Sequence, residues 1–539
     1  MKSYVTIGGT MRKKVLSLLA AAALLPGLAA TAQAVDFKTK GVWIMNFEYG
    51  GGGNFMERGR SVNGTQANRT TGWGRYNEDQ FEAKSRVRLQ LDAVASEALS
   101  GTVYFEIGRQ YWGQAGNKSG AALGADGNNV IKIKHSYLDW TMPQTDVKIR
   151  MGIQRIFLPD YVTEASQAFD ADTTGITVSV PVNENLSLTG FWARAYNDNW
   201  AGTGNSPQSY LDNFDLFGLT APLRFEGVNI TPWGLVGAFG SNTFRKNNDF
   251  YGKNNDGAGA LGVAPATYAL NDGKVGRQIA NAYSTIFWAG LTGEAVAWNP
   301  FRLAWSFNYG QSDTGVETLN RKGWYGSLLA EYSMDWGVPG IYGWYTSGDD
   351  GNVKNGSERM PTIEANNEST NGLDSFGTLG TLTLGRDTLL GSTFVGTWGV
   401  GARVKDVSFL DKLKHTFHAN LLGGTNSPTM AKYIKGQKDV DGQTLFRPDV
   451  TPGSMGDFNT ANYYGLYMTS RDYAAEFGVT STYQMYDNFK IVVEANYIAL
   501  WLDQSKDVWG GYTTTSGARM GGVTTQDAWN VNMSFIYKF

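Results

Sequence analysis

The chain has 539 residues, 42% apolar, 18% charged and 13% aromatic, with 68 glycines and no cysteine. That balance excludes a disordered tail, and the missing thiols exclude a disulfide framework, a thiolate nucleophile and any Cys-held metal or iron–sulfur cluster. A formal charge of −3 at pH 7 lacks the basic surface that phosphate neutralisation requires, so no nucleic-acid partner is expected.

Residues 1–34 read as a secretory signal: Arg12, Lys13 and Lys14 form the basic region, Val15 to Leu25 the apolar stretch, and Ala32-Gln33-Ala34 the small-residue cleavage site. Met11 directly precedes the basic cluster and is the alternative to Met1 as initiator. The segment holds four basic residues and no acid, so the mature chain from Val35 carries about −7. Past the signal no run of about 18 apolar residues occurs, which excludes a membrane helix on length. Spanning strands need only about 9 to 11 residues with alternating polarity.

That alternation recurs along the chain. In 37–49, Trp43, Met45, Phe47 and Tyr49 oppose Lys38, Lys40, Asn46 and Glu48. In 79–96, Phe81, Ala83, Val87, Leu89, Leu91 and Ala93 share one parity, with Ser85 the single polar interruption. Gln80, Glu82, Lys84, Arg86, Arg88, Gln90 and Asp92 share the other. A helix would scatter these charges around its circumference, whereas a period of two sorts them. Val147, Ile149, Met151 and Ile153 oppose Lys148, Arg150 and Gln154; Leu303, Trp305, Phe307 and Tyr309 oppose Arg302, Ser306 and Asn308; Trp529 to Phe539 alternates likewise.

Eighteen such segments are predicted, near 37–49, 79–95, 101–112, 129–141, 147–155, 175–182, 186–196, 212–222, 227–240, 282–297, 301–311, 322–334, 340–348, 394–407, 413–424, 474–485, 489–501 and 527–539. Short turns alternate with long polar loops at 50–78, 241–281, 349–393 and 425–473. An even strand count with long loops on one side describes an all-β transmembrane antiparallel barrel of 18 strands, or 16 if two irregular segments are loop, with short periplasmic turns and long extracellular loops. Residues 35–539 then form one domain integral to a bacterial outer membrane. Trp and Tyr at the strand ends, such as Trp43, Tyr49, Trp298, Trp324 and Trp336, fit the interfacial girdles of such barrels.

The runs Asp92-Ala-Val-Ala-Ser-Glu97, Tyr137-Leu-Asp-Trp140, Gly175-Ile-Thr-Val-Ser-Val-Pro181, Phe191-Trp-Ala-Arg194, Arg321-Lys-Gly-Trp324, Ser347-Gly-Asp-Asp-Gly351 and Gly356-Ser-Glu-Arg-Met-Pro361 resemble the homotrimeric outer-membrane porins of sulfate-reducing bacteria. The resemblance spans essentially the whole mature chain. It implies a homotrimer of barrels, each with its own pore, set among outer-membrane lipids and lipopolysaccharide. The terminal Phe539 looks like the C-terminal signal read by the barrel assembly machinery.

At 16 to 18 strands a barrel interior holds water, so passive diffusion of small hydrophilic solutes and ions is the expected function, with selectivity set by the lining. The predicted inner face of the first five strands carries Lys38, Lys40, Lys84, Arg86, Arg88, Lys132, Lys134, Lys148 and Arg150, against Glu48, Glu82, Asp92 and Glu106. The connection 156–174 holds Asp160, Glu164, Asp170 and Asp172 and no base; by similarity to trimeric porins it is expected to fold inward as a pore-constricting loop, its acids facing the basic wall. Slight anion preference follows. The alternative is a channel selective for a particular anion or organic acid, using Lys84, Arg86, Arg88, Lys132 and Lys134 as a ladder.

An enzyme is not expected. Of three histidines, His415 and His418 fall on opposite faces of one strand, and His135 has the outward parity of its strand, so it is either covered at a subunit contact or displaced by a bulge. Only Tyr104 and Phe191 are expected as inward aromatics, too few for a sugar slide. Arg194 shares parity with Leu186, Leu188 and Trp192, so either a bulge intervenes or it lies beyond the hydrocarbon. No cofactor is expected; Asp349, Asp350, Asn352 and Glu358 are a candidate Ca²⁺ group, though their spacing does not match an EF-hand loop.

Overall fold

A computed structural model describes residues 35–51, 80–114, 131–197, 213–240, 283–313, 320–352, 354–363, 373–375, 394–430, 468–505 and 527–539, with a few isolated residues between. Residues 1–34, expected to be a signal, and 241–281 lie outside the described residues, as does most of the expected loop 50–78.

All eighteen expected segments are strands: β1 (Asp36–Gly51), β2 (Gln80–Ser96), β3 (Leu99–Trp112), β4 (Ile131–Thr141), β5 (Lys148–Asp160), β6 (Glu164–Pro181), β7 (Ser187–Asn197), β8 (Asn213–Thr220), β9 (Val228–Gly240), β10 (Tyr283–Ala295), β11 (Phe301–Asp313), β12 (Arg321–Tyr332), β13 (Val338–Thr346), β14 (Thr397–Leu410), β15 (Leu413–Gly424), β16 (Tyr473–Tyr486), β17 (Phe489–Trp501) and β18 (Ala528–Lys538). Each pairs antiparallel with its chain neighbours, and β18 pairs with β1 from Val42 with Lys538 to Gly51 with Trp529. The sheet is a closed 18-stranded antiparallel barrel, so the ring itself has no first or last strand left without a partner.

The period-two pattern is realised inside out relative to a soluble protein. Large apolar side chains on the outward face are exposed, among them Phe81, Phe287, Leu328, Ile341, Val400, Phe477 and Val531, while Asn46, Glu48, Asn308, Glu494, Asn496, Asn530, Asn532 and Ser534 on the inward face are buried. An aqueous interior with an apolar exterior demands this arrangement.

Two bulges shift the phase. Tyr104 pairs with His135 while Phe105 pairs with Ile133, leaving Lys134 as an extra residue. From there on His135, Tyr137 and Asp139 turn inward beside Tyr104, so of the two readings for His135 the bulge is the one realised. At β7 the register also shifts between Arg194 and Tyr196. Arg194 pairs there with Asp215 at 2.9 Å.

The expected loop 156–174 is instead the outer part of a long hairpin, with β5 running to Asp160 and β6 beginning at Glu164. Alternation persists past the wall because each strand still has the other to pair with. β4 follows β5 only as far as Ser136 with Ile153, and β7 follows β6 only as far as Thr174 with Arg194. Beyond those pairs the ribbon leaves the wall. Gly152 stands at the departure with φ +130°, and a Cβ there would lie 2.2 Å from the Ser136 carbonyl oxygen, so only glycine fits where the strands diverge.

Candidate functional site

The interior divides by chemistry. On one side the detached hairpin lies against inward residues of β7–β10: Ile156, Leu158, Ala168 and Phe169 are buried together with Phe191, Phe214, Leu216, Trp233, Leu235, Ile286 and Trp288. Its turn is tied across the barrel. The Tyr161 N–H donates to Thr292 Oγ1 at 2.8 Å, Arg302 Nη2 donates to the Tyr161 carbonyl at 3.1 Å, and Asn308 Nδ2 donates to Ser166 Oγ at 3.0 Å. Asp160 caps the turn by accepting the Val162 and Thr163 N–H groups at 2.7 and 2.9 Å.

The segment after β13, expected to belong to an outer loop, also packs inward. The Ile363 N–H donates to the Ala168 carbonyl at 2.9 Å, Trp288 Nε1 donates to the Pro361 carbonyl at 2.8 Å, and Met360, Leu373 and Phe394 are buried. Asp374 accepts from Arg403 at 3.1 Å. Arg403 and Lys405 share Glu331 with Arg302 at 2.7, 2.6 and 2.9 Å, and Arg302 also meets Glu294 at 3.0 Å. This second charged cluster, on β10–β14, escapes a sequence reading confined to the first five strands.

Of the nine predicted wall cations, Lys38, Lys84, Arg86, Arg88, Lys134 and Arg150 each have a carboxylate within 4.0 Å. Lys84 meets Glu48 at 2.6 Å and Glu82 at 3.6 Å, and Arg88 meets Glu106 at 2.6 Å. Asp92 accepts from Gln90 and Thr102 at 2.7 and 2.6 Å. Arg150 forms a two-pronged pair with Asp139 at 2.6 and 2.9 Å and lies over the Tyr137 ring at 4.0 Å. Asp139 was hidden because the bulge at Lys134 reverses its apparent parity.

The hairpin acids do not stand as a row facing bare cations. Asp170 is gripped by Arg155 at 2.7 and 2.8 Å, Asp172 by Lys134 at 2.5 Å and His135 at 2.9 Å, and Asp160 is buried in the turn. Arg155 lies one residue before the expected loop boundary, which is why the segment looked free of bases. Glu164 is exposed at the turn, with φ 68°.

Below the ribbon lies a cavity of about 670 Å³, lined by inward residues of β3–β9 and roofed by Arg155, Ile156, Phe157, Pro159 and Tyr161. Inward aromatics are far more numerous than expected: Trp233, Trp288, Phe214, Tyr325, Tyr342 and Trp344 are all buried. Each of Trp233 and Trp344 lies over a facing glycine, Gly290 and Gly399, where a Cβ would come within 2.2 Å of the ring. Paired glycine and aromatic at one cross-strand position is the signal that could have placed these rings inside.

In the Ca²⁺ candidate the oxygens serve the chain itself. Asp350 accepts from the Asn352 N–H at 2.6 Å and from Asn355 at 3.1 Å, Glu358 accepts from the Asp350 N–H at 2.9 Å, and Asp349 accepts from Ser357. Among the described residues no three metal-binding side chains converge. His415 meets Ser481 at 2.8 Å, while His418 is buried on the other face.

No family model matches the chain, and no curated protein does. Solved structures similar to it include a BenF-like porin from Pseudomonas fluorescens Pf-5 (10% identity, 94% of this chain and 99% of that one, TM-score 0.47). Two from Pseudomonas aeruginosa are OccK2 (OpdF), at 10% identity over 94% and 98% with TM-score 0.48, and the outer membrane protein opdK, at 9% over 94% and 98% with TM-score 0.47.

Proposed function

We propose that the protein is an outer-membrane porin, a water-filled channel for passive diffusion of small hydrophilic solutes and ions. The supporting observation is the closed ring of eighteen strands whose inward face is polar and whose outward face is apolar, with a hairpin leaving the wall to narrow the interior. A barrel this wide is not filled by its own wall side chains, so an inward ribbon sets the aperture. The resemblance to homotrimeric porins supports assembly of three such barrels. Anion preference rests on Lys40, Lys132 and Lys148, the wall cations without a carboxylate partner among the described residues, and is therefore slight.

Planar-bilayer recording of the detergent-extracted protein tests this. Discrete ohmic steps, in groups of three for a trimer, with a small anion-directed reversal potential under a salt gradient are expected. A cation-directed potential removes the anion preference, and absence of steps removes the channel.

A further inference from the structure

The cavity beneath the hairpin has a lining that a nonspecific water channel does not require. Its floor is a row of hydroxyls in cross-strand register. Thr141 on β4 pairs with Lys148, Lys148 with Ser179, Ser179 with Thr189, and Thr189 with Thr220 on β8. The row, four hydroxyls with the Lys148 ammonium between Thr141 and Ser179, thus follows one line of register across five neighbouring strands, and Ser179 and Thr189 are bonded to each other at 2.9 Å. One register step outward stands the planar Asp139–Arg150 pair, its side chains 37% and 39% exposed, followed by Thr177. The roof is apolar and ring-bearing, with Phe157, Pro159 and Tyr161 facing the same space.

Charge decides between an ion and a neutral solute. Arg150 is matched by Asp139 and Arg155 by Asp170, and the remaining charges of the lining, Lys148 on the floor and Glu97 at the rim, are one of each sign, so the cavity carries no net charge. Each hydroxyl both donates and accepts, and a fixed carboxylate–guanidinium fork offers two acceptors beside two donors in one plane. Alternating hydroxyl donors and acceptors on one side, a flat fork for adjacent hydroxyls and an apolar ceiling for a C–H face fit one solute chemistry.

We infer that the cavity bounded by the hydroxyl row of β4–β8, the Asp139–Arg150 fork and the hairpin is a subsite for an uncharged polyhydroxylated solute, a small saccharide or polyol. The inference rests on the channel reading in that the subsite lies along the proposed path. Binding there is weak and reversible, because a transported solute must also leave.

Two measurements separate the subsite from the channel. In single-channel recording, glucose lowers the step saturably, whereas glycine betaine at equal osmolality, which has no hydroxyl, lowers it only through viscosity. Saturation-transfer NMR on glucose with the detergent-solubilised protein reads binding without conduction. Thr189→Val and Thr177→Val each raise the half-saturation concentration about five-fold, as expected for loss of one hydrogen bond of roughly 1 kcal/mol. Thr482→Val, on β16 outside the cavity, leaves it unchanged. Normal steps with glucose and betaine acting alike, or equal effects of all three variants, overturn the subsite and leave the channel standing. Glucose binding that the cavity variants weaken, in a protein without steps, keeps the subsite and overturns the channel.

Discussion

The wall of β1–β5 and the wall of β7–β13 obey the same alternation yet present opposite interiors. On the first, inward positions are charged and neutralised side chain by side chain: Lys84 by Glu48, Arg88 by Glu106, Arg150 by Asp139. On the second, inward positions include the rings of Phe191, Phe214, Trp233, Trp288, Tyr325 and Trp344, covered by the hairpin and the segment after β13. Where segments fold back over the wall, large rings are buried beneath them beside the polar groups that tie those segments down, Thr292, Arg302 and Asn308. Where no segment folds back, charged side chains pair with one another across the strands.

That contrast can be broken most severely at Trp288, fully buried between the wall and Pro361. Trp288→Ala removes the ring that holds both inward segments and costs about 3–5 kcal/mol. A lower melting temperature in detergent and a larger, noisier conductance step are expected; an unchanged step would mean that the hairpin does not set the aperture.

A medium effect is expected from Glu106→Gln, which leaves Arg86 and Arg88 without the carboxylate they share at 4.0 and 2.6 Å. The anion-to-cation permeability ratio, read from the reversal potential, should rise on the order of two-fold. The smallest change is that of Lys132→Gln on the bare wall. It should lower the ratio slightly, and the difference should vanish near 1 M salt, where screening acts within about 3 Å.

The strand ladder was legible because period-two sorting is a local property: each of the eighteen segments carries it independently, and none needs a partner to be recognised. What defeated the reading was non-local. One extra residue at Lys134 turned His135 and Asp139 inward; the outward parity of His135 already offered a bulge as one of two readings, but nothing in 129–141 carries that phase change on to Asp139. A boundary set one residue late hid Arg155 from Asp170. Residues 156–174 were expected to fold inward by resemblance alone, and their continued pairing as a ribbon depends on where β4 and β7 stop following them. Around the inward tryptophans both parities of the strand are apolar, and only the segments that fold back over the wall tell the two faces apart.

The seam between β1 and β18 joins residues far apart in the chain: Asn46 donates to Ser534 at 3.0 Å across 488 positions. Gly41 and Phe539 exchange backbone hydrogen bonds at 2.9 and 3.1 Å, and a Cβ on Gly41 would fall 2.6 Å from the Phe539 ring. Every other seam joins strands consecutive in the chain, whereas this one joins the two ends and carries the largest loop-closure entropy. Until it closes, the first and last strands each keep one edge without a partner. The clasp at Gly41 and Phe539 is among the contacts this last seam has to make, and a side chain placed at residue 41 is expected to slow ring closure even where the finished barrel tolerates it.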